Sequence, residues 1–394
     1  DSYFASVEQQ ANPKLRGKPI VVTGKPTIKS VVAAASREAK EYGVRSAMST
    51  WEAESKCPDL ILVPGTPDRY EWTTKRFIGI LRRYTPRLEM FGIDEVFMEL
   101  TSLVDGLEEA VEGAREIQEE VQYELGKFVT CSVGIARNKL LAKLASDLDK
   151  PKGVRLIEDS EVSDLLSSTP MTDLCGIGSR TGRRLNRLGI DSLPELAEAP
   201  ESMLKEEFGI LGPRLKRMAK GKDSSPVVSF DYEEPIKSVG HSLTLPDRKR
   251  VPGKALPVLF KLCQQVGYRL RDHSLMGKTV KLSLRDEDLE VEGKQITLGR
   301  YTDDGNRIYY ACQKILDRMN FPQSPTMVGV RASNLRDKNK VTKPIFPKNR
   351  QREELLRLVD SINKEHGKGT LRFAAQMGTE DMVPFTSSFR GRGN

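Results

Sequence analysis

The pattern of apolar residues changes twice along this chain of 394 residues, and these changes constrain its fold more than any other feature. In roughly the first 155 residues, strand-like runs such as 128–135 alternate with amphipathic helices such as 107–125, a pattern typical of an α/β or α+β core. From about Glu158 to Lys222 the pattern is helical throughout, and from Pro235 to about Ser333 strands and helices mix again. The sequence therefore predicts an α+β multidomain protein.

Two further segments interrupt these patterned regions. Residues 223–233 contain Ser224-Ser225-Pro226 and are typical of a linker. Between Arg336 and Arg352 there are seven Lys or Arg and one acid, which favours a flexible basic segment. A last helix is predicted over 353–365, followed by a Gly- and Arg-rich end expected to be disordered.

Composition excludes some classes of protein and only weakly suggests a partner. The net charge of +8 comes from 63 basic and 55 acidic residues, so where the charge lies matters more than its sum. Five scattered cysteines without a C-x-x-C spacing favour a reduced, cytoplasmic protein without structural zinc. No run of residues is long and apolar enough to predict a membrane helix, so no membrane partner is expected.

The adjacent acids Asp94 and Glu95 lie inside a sequence that otherwise reads as a strand hairpin. Neighbouring strand residues point to opposite faces, so both carboxylates can serve one site only near a turn or bulge, and Gly92 favours such a turn. Two close carboxylates repel unless cations neutralise them, and Mg²⁺ prefers oxygen ligands. The alternative is a solvated hairpin tip without a ligand.

The opening residues, Asp1 to Glu8, resemble the start of the Y-family translesion DNA polymerases, closest to the bacterial DNA polymerase IV branch. The Ile93-Asp94-Glu95 string fits the same family. Further matching strings follow in the family's order, at 42–48, 84–86, 132–135, 138–139, 150–153, 176–178, 237–240 and 360–363. The resemblance covers nearly the whole chain.

This resemblance implies a role for each matching site residue. Asp94 would bind both of two Mg²⁺ ions, and Glu95 the ion at the primer 3′ hydroxyl, so these two are the expected catalytic carboxylates. Phe4, beside Tyr3 in the nucleotide site, would exclude a ribose 2′-hydroxyl; the alternative is ordinary core packing. Lys150 would neutralise the incoming triphosphate, the alternative being a solvated lysine.

The chain departs from the family at the triphosphate grip. The family usually has a Tyr and an Arg three residues apart, whereas this chain has Arg37 and Lys40, with Ala34 where a small hydroxyl residue is common. Both cations suit phosphate, but Lys cannot make the bidentate contact that Arg makes. A weaker grip on the nucleotide is therefore expected.

Gly176 and Gly178 resemble the turn of a helix-hairpin-helix, a motif in which backbone N–H groups meet a DNA phosphate. Alone, Gly-Ile-Gly would be a plain turn more often than a DNA site. Four arginines follow it: Arg180, Arg183, Arg184 and Arg187. The two glycines and the first three of these arginines form the predicted DNA-binding set.

Near the other end of the chain, Ile345 and Phe346 lie where bacterial members of the family carry a peptide that binds the sliding clamp; the alternative is a simple tether.

The resemblance implies a right-hand polymerase fold with the Y-family's extra domain. The palm would be 1–10 and 67–157, the fingers 11–66, the helix-hairpin-helix thumb 158–222, the linker 223–233, the little finger 234–335, and the basic tail with its short helix 336–394. The expected activity is low-fidelity, DNA-templated addition of deoxynucleotides by a monomer that binds primer-template DNA and dNTPs.

Two alternatives come from other classes of protein. One is a non-catalytic, polymerase-like adaptor that binds DNA, and the other is a helix-hairpin-helix nuclease or glycosylase. A further expectation concerns Asp1, which aligns with the second of two acids in the family's opening strand. The first acid, a metal ligand, would lie two residues before Asp1, so the chain as numbered is expected to be catalytically impaired unless Asp1 substitutes.

Overall fold

The computed structural model describes residues 1–24, 30–230, 232, 235–245, 255–319, 325–342, 347–367 and 369–376. The chain divides into two compact units, Asp1–Glu233 and Glu234–Asn394. Among the described residues, no helix is both long and apolar enough to cross a membrane.

The first part of unit one alternates helices and strands, as the sequence predicts. Its elements are α1 (Tyr3–Ala11), β1 (Ile20–Thr23), β2 (Val32–Ala35), α2 (Arg37–Glu41), α3 (Thr50–Lys56), β3 (Ile61–Pro64), α4 (Pro67–Leu81), β4 (Leu88–Met90), β5 (Val96–Met98), α5 (Leu107–Leu125), β6 (Val133–Ile135), α6 (Lys139–Leu148) and β7 (Val154–Leu156). The strand predicted over 128–135 is confirmed only in β6.

Three small sheets form from these strands. β1 lies at the centre of the first, antiparallel to β2 and parallel to β3. All four residues of β1 are buried, which explains its unbroken apolar sequence. β4 and β5 form an antiparallel hairpin, and β6 pairs in parallel with β7.

α1, α4 and α5 enclose the core beside these sheets. α5 buries one stripe at helical spacing, including Ala114, Ile117 and Val121, against Ala5 of α1 and Ile78 of α4. This packing fixes α1 against α4, and the candidate site lies at one end of that contact.

The rest of unit one is helical, as predicted. Its helices are α7 (Val162–Ser168), α8 (Ser179–Arg187), α9 (Leu193–Glu198), α10 (Glu201–Phe208) and α11 (Leu211–Ala219). Leucines with no exposed surface form its core: Leu185, Leu193, Leu196, Leu204 and Leu215.

Unit two is an antiparallel sheet with helices on one face. Its elements are β8 (Ser238–Thr244), α12 (Ala255–Asp272), β9 (Leu275–Arg285), β10 (Val291–Thr302), α13 (Gly305–Leu316), β11 (Met327–Asp337) and α14 (Pro347–Glu365). The strand order is β10-β9-β11-β8. Leu262 of α12 and Ile308 of α13 pack against Leu282 and Val330 of the sheet.

The basic segment after residue 335 is more ordered than the sequence predicted. β11 continues to Asp337, and α14 begins at Pro347 rather than near residue 353. Opposite charges explain the docking of α14, because Arg271 of α12 binds both carboxylate oxygens of Asp360, at 2.5 and 2.9 Å. Arg352 pairs in the same way with Asp304, at 3.2 Å to each oxygen.

Candidate active site

Asp94 and Glu95 lie in the five-residue turn that joins β4 to β5. Met90 pairs with Val96, and the N–H groups of Phe91 and Gly92 donate to the Glu95 carbonyl at 2.9 and 3.1 Å. The two acids therefore leave the strand alternation at a turn, which confirms the hairpin predicted from the sequence.

The carboxylates of this pair are electrostatically strained. Partial desolvation, and next the charge of Glu95, raise the pKa of Asp94. Lys143 of α6 donates to Glu95 at 2.7 Å and also pairs with Asp147 at 3.2 Å. Burial alone would lower the pKa of Lys143, but these two acids raise it. Lys143 was not predicted as a site residue, although its position four residues before Asp147 on a predicted helix is typical of an ion pair.

Asp1 lies beside this site with its carboxylate engaged elsewhere. The carboxylate accepts hydrogen bonds from the hydroxyls of Thr130 (3.0 Å) and Ser132 (2.8 Å) and from the Lys152 N–H (3.1 Å). These three donors hold the Asp1 carboxylate on the segment that leads into β6.

The aromatic pair at the start of α1 packs onto α4. The Phe4 ring is half-buried and stacks on Tyr70, with centroids 4.4 Å apart. The Tyr3 hydroxyl lies 2.8 Å from the Tyr70 carbonyl and 2.7 Å from Thr74 Oγ1. Burial and then the nearby charge of Asp94 raise the pKa of Tyr3 to about 12, although its hydrogen bond to Thr74 acts in the opposite direction. Tyr3 therefore lies within electrostatic reach of the acidic turn.

A buried carboxylate forms a hydrogen bond with the Tyr70 hydroxyl. Glu8 is 4% exposed, accepts from the Tyr70 hydroxyl at 2.7 Å, and pairs with Arg69. Burial and this hydrogen bond raise the pKa of Tyr70. Tyr70 was missed from the sequence because it belongs to no recognised motif, whereas Glu8 lies in the recognised opening string but was given no role.

The three cations predicted to hold a triphosphate form one cluster. Burial of its ammonium and then the charges of Lys150 and Arg37 lower the pKa of Lys40. Arg37 donates to Thr130 Oγ1 at 2.7 Å, and Lys150 pairs with Asp147 at 2.5 Å. Mutual repulsion within such a cluster is relieved by an anion, and the role of these three residues in holding a triphosphate stays a prediction.

The predicted helix-hairpin-helix has the expected local geometry. Gly176 has φ +97°, a conformation that side chains rarely adopt, and Gly178 lies just before α8. Arg180 and Arg183 are exposed on α8. Arg184 instead donates to the Glu207 carboxylate at 2.7 Å and lies over the Phe208 ring, 4.4 Å from its centroid.

The remaining predicted contact cannot be placed. Ile345 and Phe346, the possible clamp contact, lie outside the described residues. Within the described part of the chain, no group of three or more His, Cys, Asp or Glu side chains is arranged to hold a metal ion. The role of Asp94 and Glu95 as metal ligands stays a prediction.

Sequence comparison finds one family over both units. The impB/mucB/samB family model matches residues 1–147, and that family's C-terminal domain matches 236–344. DNA polymerase IV 1 of Bacillus subtilis is 34% identical over 394 residues, covering 99% of this chain and 94% of that protein. DNA polymerase IV of Moorella thermoacetica is 33% identical over 381 residues, covering 96% and 94%.

Solved structures give the same relationship. A Y-family DNA polymerase chimera of Dbh and Dpo4 matches with a TM-score of 0.72 and 30% identity, covering 85% of this chain and 96% of that one. The insertion ternary complex of Dbh DNA polymerase matches with a TM-score of 0.54 and 28% identity, also covering 85% and 96%. The fold is thus similar to right-hand polymerases with the extra Y-family domain.

Proposed function

The chain belongs to the impB/mucB/samB family of Y-family DNA polymerases and is a DNA-directed DNA polymerase, and we propose that it transfers nucleotides at the Asp94–Glu95 turn. The observation that carries this proposal is a series of ion pairs that connects the turn to the cationic cluster: Lys143 pairs with Glu95 and with Asp147, and Asp147 pairs with Lys150. The charge of Asp94 also acts on Tyr3, which is adjacent to Phe4. An acidic turn beside a basic cluster suits a metal–triphosphate substrate.

The donor chemistry of the turn fits a divalent metal. Asp94 and Glu95 offer the hard oxygen ligands that Mg²⁺ prefers, and burial followed by the charge of Glu95 raises the pKa of Asp94 despite the nearby charge of Lys143. Two Mg²⁺ ions bound here would stabilise the attacking and leaving oxygens of the transfer. The general metal dependence of Y-family DNA polymerases supports a metal site at this turn. That two ions bind, and that both are Mg²⁺, is part of the proposal.

The chain's own side chains position the substrates. Arg37, Lys40 and Lys150 hold the triphosphate by charge, with Lys40 giving a looser contact than an arginine would. Phe4, fixed on Tyr70, closes the space beside the sugar and excludes a 2′-hydroxyl. Glu8 keeps Tyr70 in place.

We assign the domains in the order the family implies. Residues 1–10 and 67–157 are the palm, 11–66 the fingers, 158–222 the thumb and 234–335 the little finger, with 223–233 as the linker. The leucine core of α7–α11, which also includes Leu140 and Leu144 of α6, supports a helical thumb packed on the palm. The β8–β11 sheet with α12 and α13 supports a distinct little finger. The docking of α14 supports extending that last domain beyond 335.

The substrates and partners follow from this assignment. Primer-template DNA binds through Gly176, Gly178, Arg180 and Arg183, which contact phosphates and so ignore base sequence. Arg184 contributes less than its neighbours because it is already paired with Glu207. Synthesis past damaged bases, action as a cytoplasmic monomer, and clamp contact through Ile345 and Phe346 complete the proposal.

A primer-extension assay on the complete gene product, with Mg²⁺ and four dNTPs, tests this function. Template-directed extension is expected. DNA binding without extension would instead identify a polymerase-like adaptor, and strand cleavage or base release would identify a helix-hairpin-helix repair enzyme. Running the same assay opposite an abasic site, with an undamaged template as control, tests the translesion part.

A further inference from the structure

Thr74 links three elements of the site through a single hydroxyl. It is 1% exposed on α4, and its Oγ1 lies 2.7 Å from the Tyr3 hydroxyl and 2.8 Å from the Ile93 carbonyl oxygen. Tyr3 is adjacent to Phe4, and Ile93 directly precedes Asp94. Thr74 thus lies between the sugar-selecting residue and the acidic turn.

Two hydroxyl protons serve the three contacts that meet at Tyr3 and Thr74. A carbonyl can only accept, so the Thr74 hydroxyl donates to Ile93 at 2.8 Å and the Tyr3 hydroxyl donates to Tyr70 at 2.8 Å. Either hydroxyl can be the donor in the 2.7 Å contact between Tyr3 and Thr74, which joins the two bonds into one series. Hydrogen bonds in such a series polarise one another and strengthen in a buried setting.

The same face of α4 supports Phe4. Tyr70 lies one helical turn before Thr74, and residues four apart share a helix face. Tyr70 carries the Phe4 ring at 4.4 Å, while Thr74 holds the backbone before Asp94. One helix therefore sets the spacing between the two functional groups.

We propose that Thr74 is a positioning residue whose hydroxyl holds the Asp94–Glu95 turn at a fixed distance from Phe4. The inference rests on the proposed function of that turn. Misplacing reacting groups by about 1 Å can cost on the order of 100-fold in rate. The turn itself is held within the hairpin by only two backbone hydrogen bonds, both to the Glu95 carbonyl, so an anchor at Ile93 matters for its position.

The test compares isosteric variants in the complete gene product. Thr74→Val removes the hydroxyl and keeps the shape, and Thr74→Ser keeps the hydroxyl. Thr169→Val is the matched control, because Thr169 is also buried and its hydroxyl donates to the Leu165 carbonyl of α7, at 2.7 Å, without a contact to Tyr3 or Ile93. Each variant is assayed for its maximal single-nucleotide incorporation rate, its ribo- to deoxynucleotide ratio and its thermal unfolding temperature.

Thr74→Val should lower the rate and raise the ribonucleotide ratio, each by about 3- to 10-fold, as expected for one lost buried hydrogen bond. Thr74→Ser should restore both, and Tyr3→Phe should change the ratio in the same direction without adding to Thr74→Val. The ratio is decisive, since partial unfolding lowers the active fraction but leaves the ratio unchanged.

A ratio for Thr74→Val equal to that of Thr169→Val would overturn the inference. So would a loss of rate that Thr74→Ser does not restore. A wild-type protein that does not extend primers would instead refute the proposed function, so the two failures are distinguishable.

Discussion

Phe4 depends on its neighbour to act as a steric barrier. A ring that excludes a 2′-hydroxyl must not move aside, and the stacked Tyr70, itself bonded to buried Glu8, prevents this. The proposed selectivity against ribonucleotides would thus depend on three residues of α1 and α4 rather than on one side chain.

Phe4→Ala should raise ribonucleotide incorporation by about two orders of magnitude, equivalent to about 2.7 kcal/mol of lost steric discrimination. Deoxynucleotide incorporation should fall much less. The measurement is the ratio of incorporation efficiencies for matched ribo- and deoxynucleotides. Tyr70→Phe keeps the ring under Phe4 and should change the ratio far less; an unaltered ratio in Phe4→Ala would make Phe4 an ordinary core residue.

The site residues that the sequence predicted differ from those that it missed in how far apart along the chain their partners lie. Asp94 and Glu95 are adjacent, so their joint placement needs only a turn, which Gly92 and the flanking apolar residues favour. Thr74 and Tyr70 act through partners about 20 to 70 positions away. Such contacts arise from the packing of α1 on α4, which no local pattern shows.

At the scale of elements, strands were predicted where burial is continuous and missed where it is not. β9 and β11 bury apolar residues against α12 and α13, and both lie largely within the region, Pro235 to about Ser333, where the sequence predicted a mixture of strands and helices. β10 is an edge strand, mostly exposed, with two glycines and several charges, a composition depleted in strands. Its pairing with β9 decides its conformation.

α8 carries two kinds of arginine, and substitutions should separate them. Arg180→Ala should weaken DNA binding and reduce the slope of log K against log salt by about 0.9, the value for one phosphate contact. Arg184→Ala should lower the thermal unfolding temperature, because it removes the contacts with Glu207 and Phe208.

Binding titrations at several salt concentrations, together with thermal unfolding, check this difference. Arg137→Ala is the control, since Arg137 is exposed and paired with Asp159 at 2.7 Å. A salt slope unchanged by Arg180→Ala would remove α8 from the DNA interface.

α14 was expected to be a short helix in a flexible tail, and its ion pairs make it part of unit two. The Arg271 side chain is only 9% exposed, so Asp360→Ala leaves a nearly buried guanidinium without its carboxylate. The expected loss is about 1–3 kcal/mol of unfolding free energy, between the values for exposed and buried pairs. Glu292→Ala, which removes an exposed pair at 3.8 Å, should cost less than about 0.5 kcal/mol. Equal stability of the two variants in denaturant unfolding would mean that α14 is only loosely held.

At the scale of the whole molecule, a family match over both compact units shows a DNA polymerase, and its proposed active site lies in the first unit. The net charge of +8 alone would not have indicated DNA, because the basic residues proposed to bind nucleotide and DNA are local, in the Arg37–Lys40–Lys150 cluster and on α8. The ordered series of short motifs predicted the fold class, while the bounds of individual strands required the structure.

The most direct test of the central claim is single-nucleotide incorporation by Asp94→Ala, measured beside the wild-type protein and the exposed-acid control Asp164→Ala, with DNA affinity determined for all three. Asp94→Ala should lose at least about 1,000-fold in rate, roughly 4 kcal/mol of transition-state stabilisation, while binding primer-template DNA about as tightly as the wild type. Asp164→Ala should match the wild type in both. Near wild-type incorporation by Asp94→Ala would contradict the assignment of the active site.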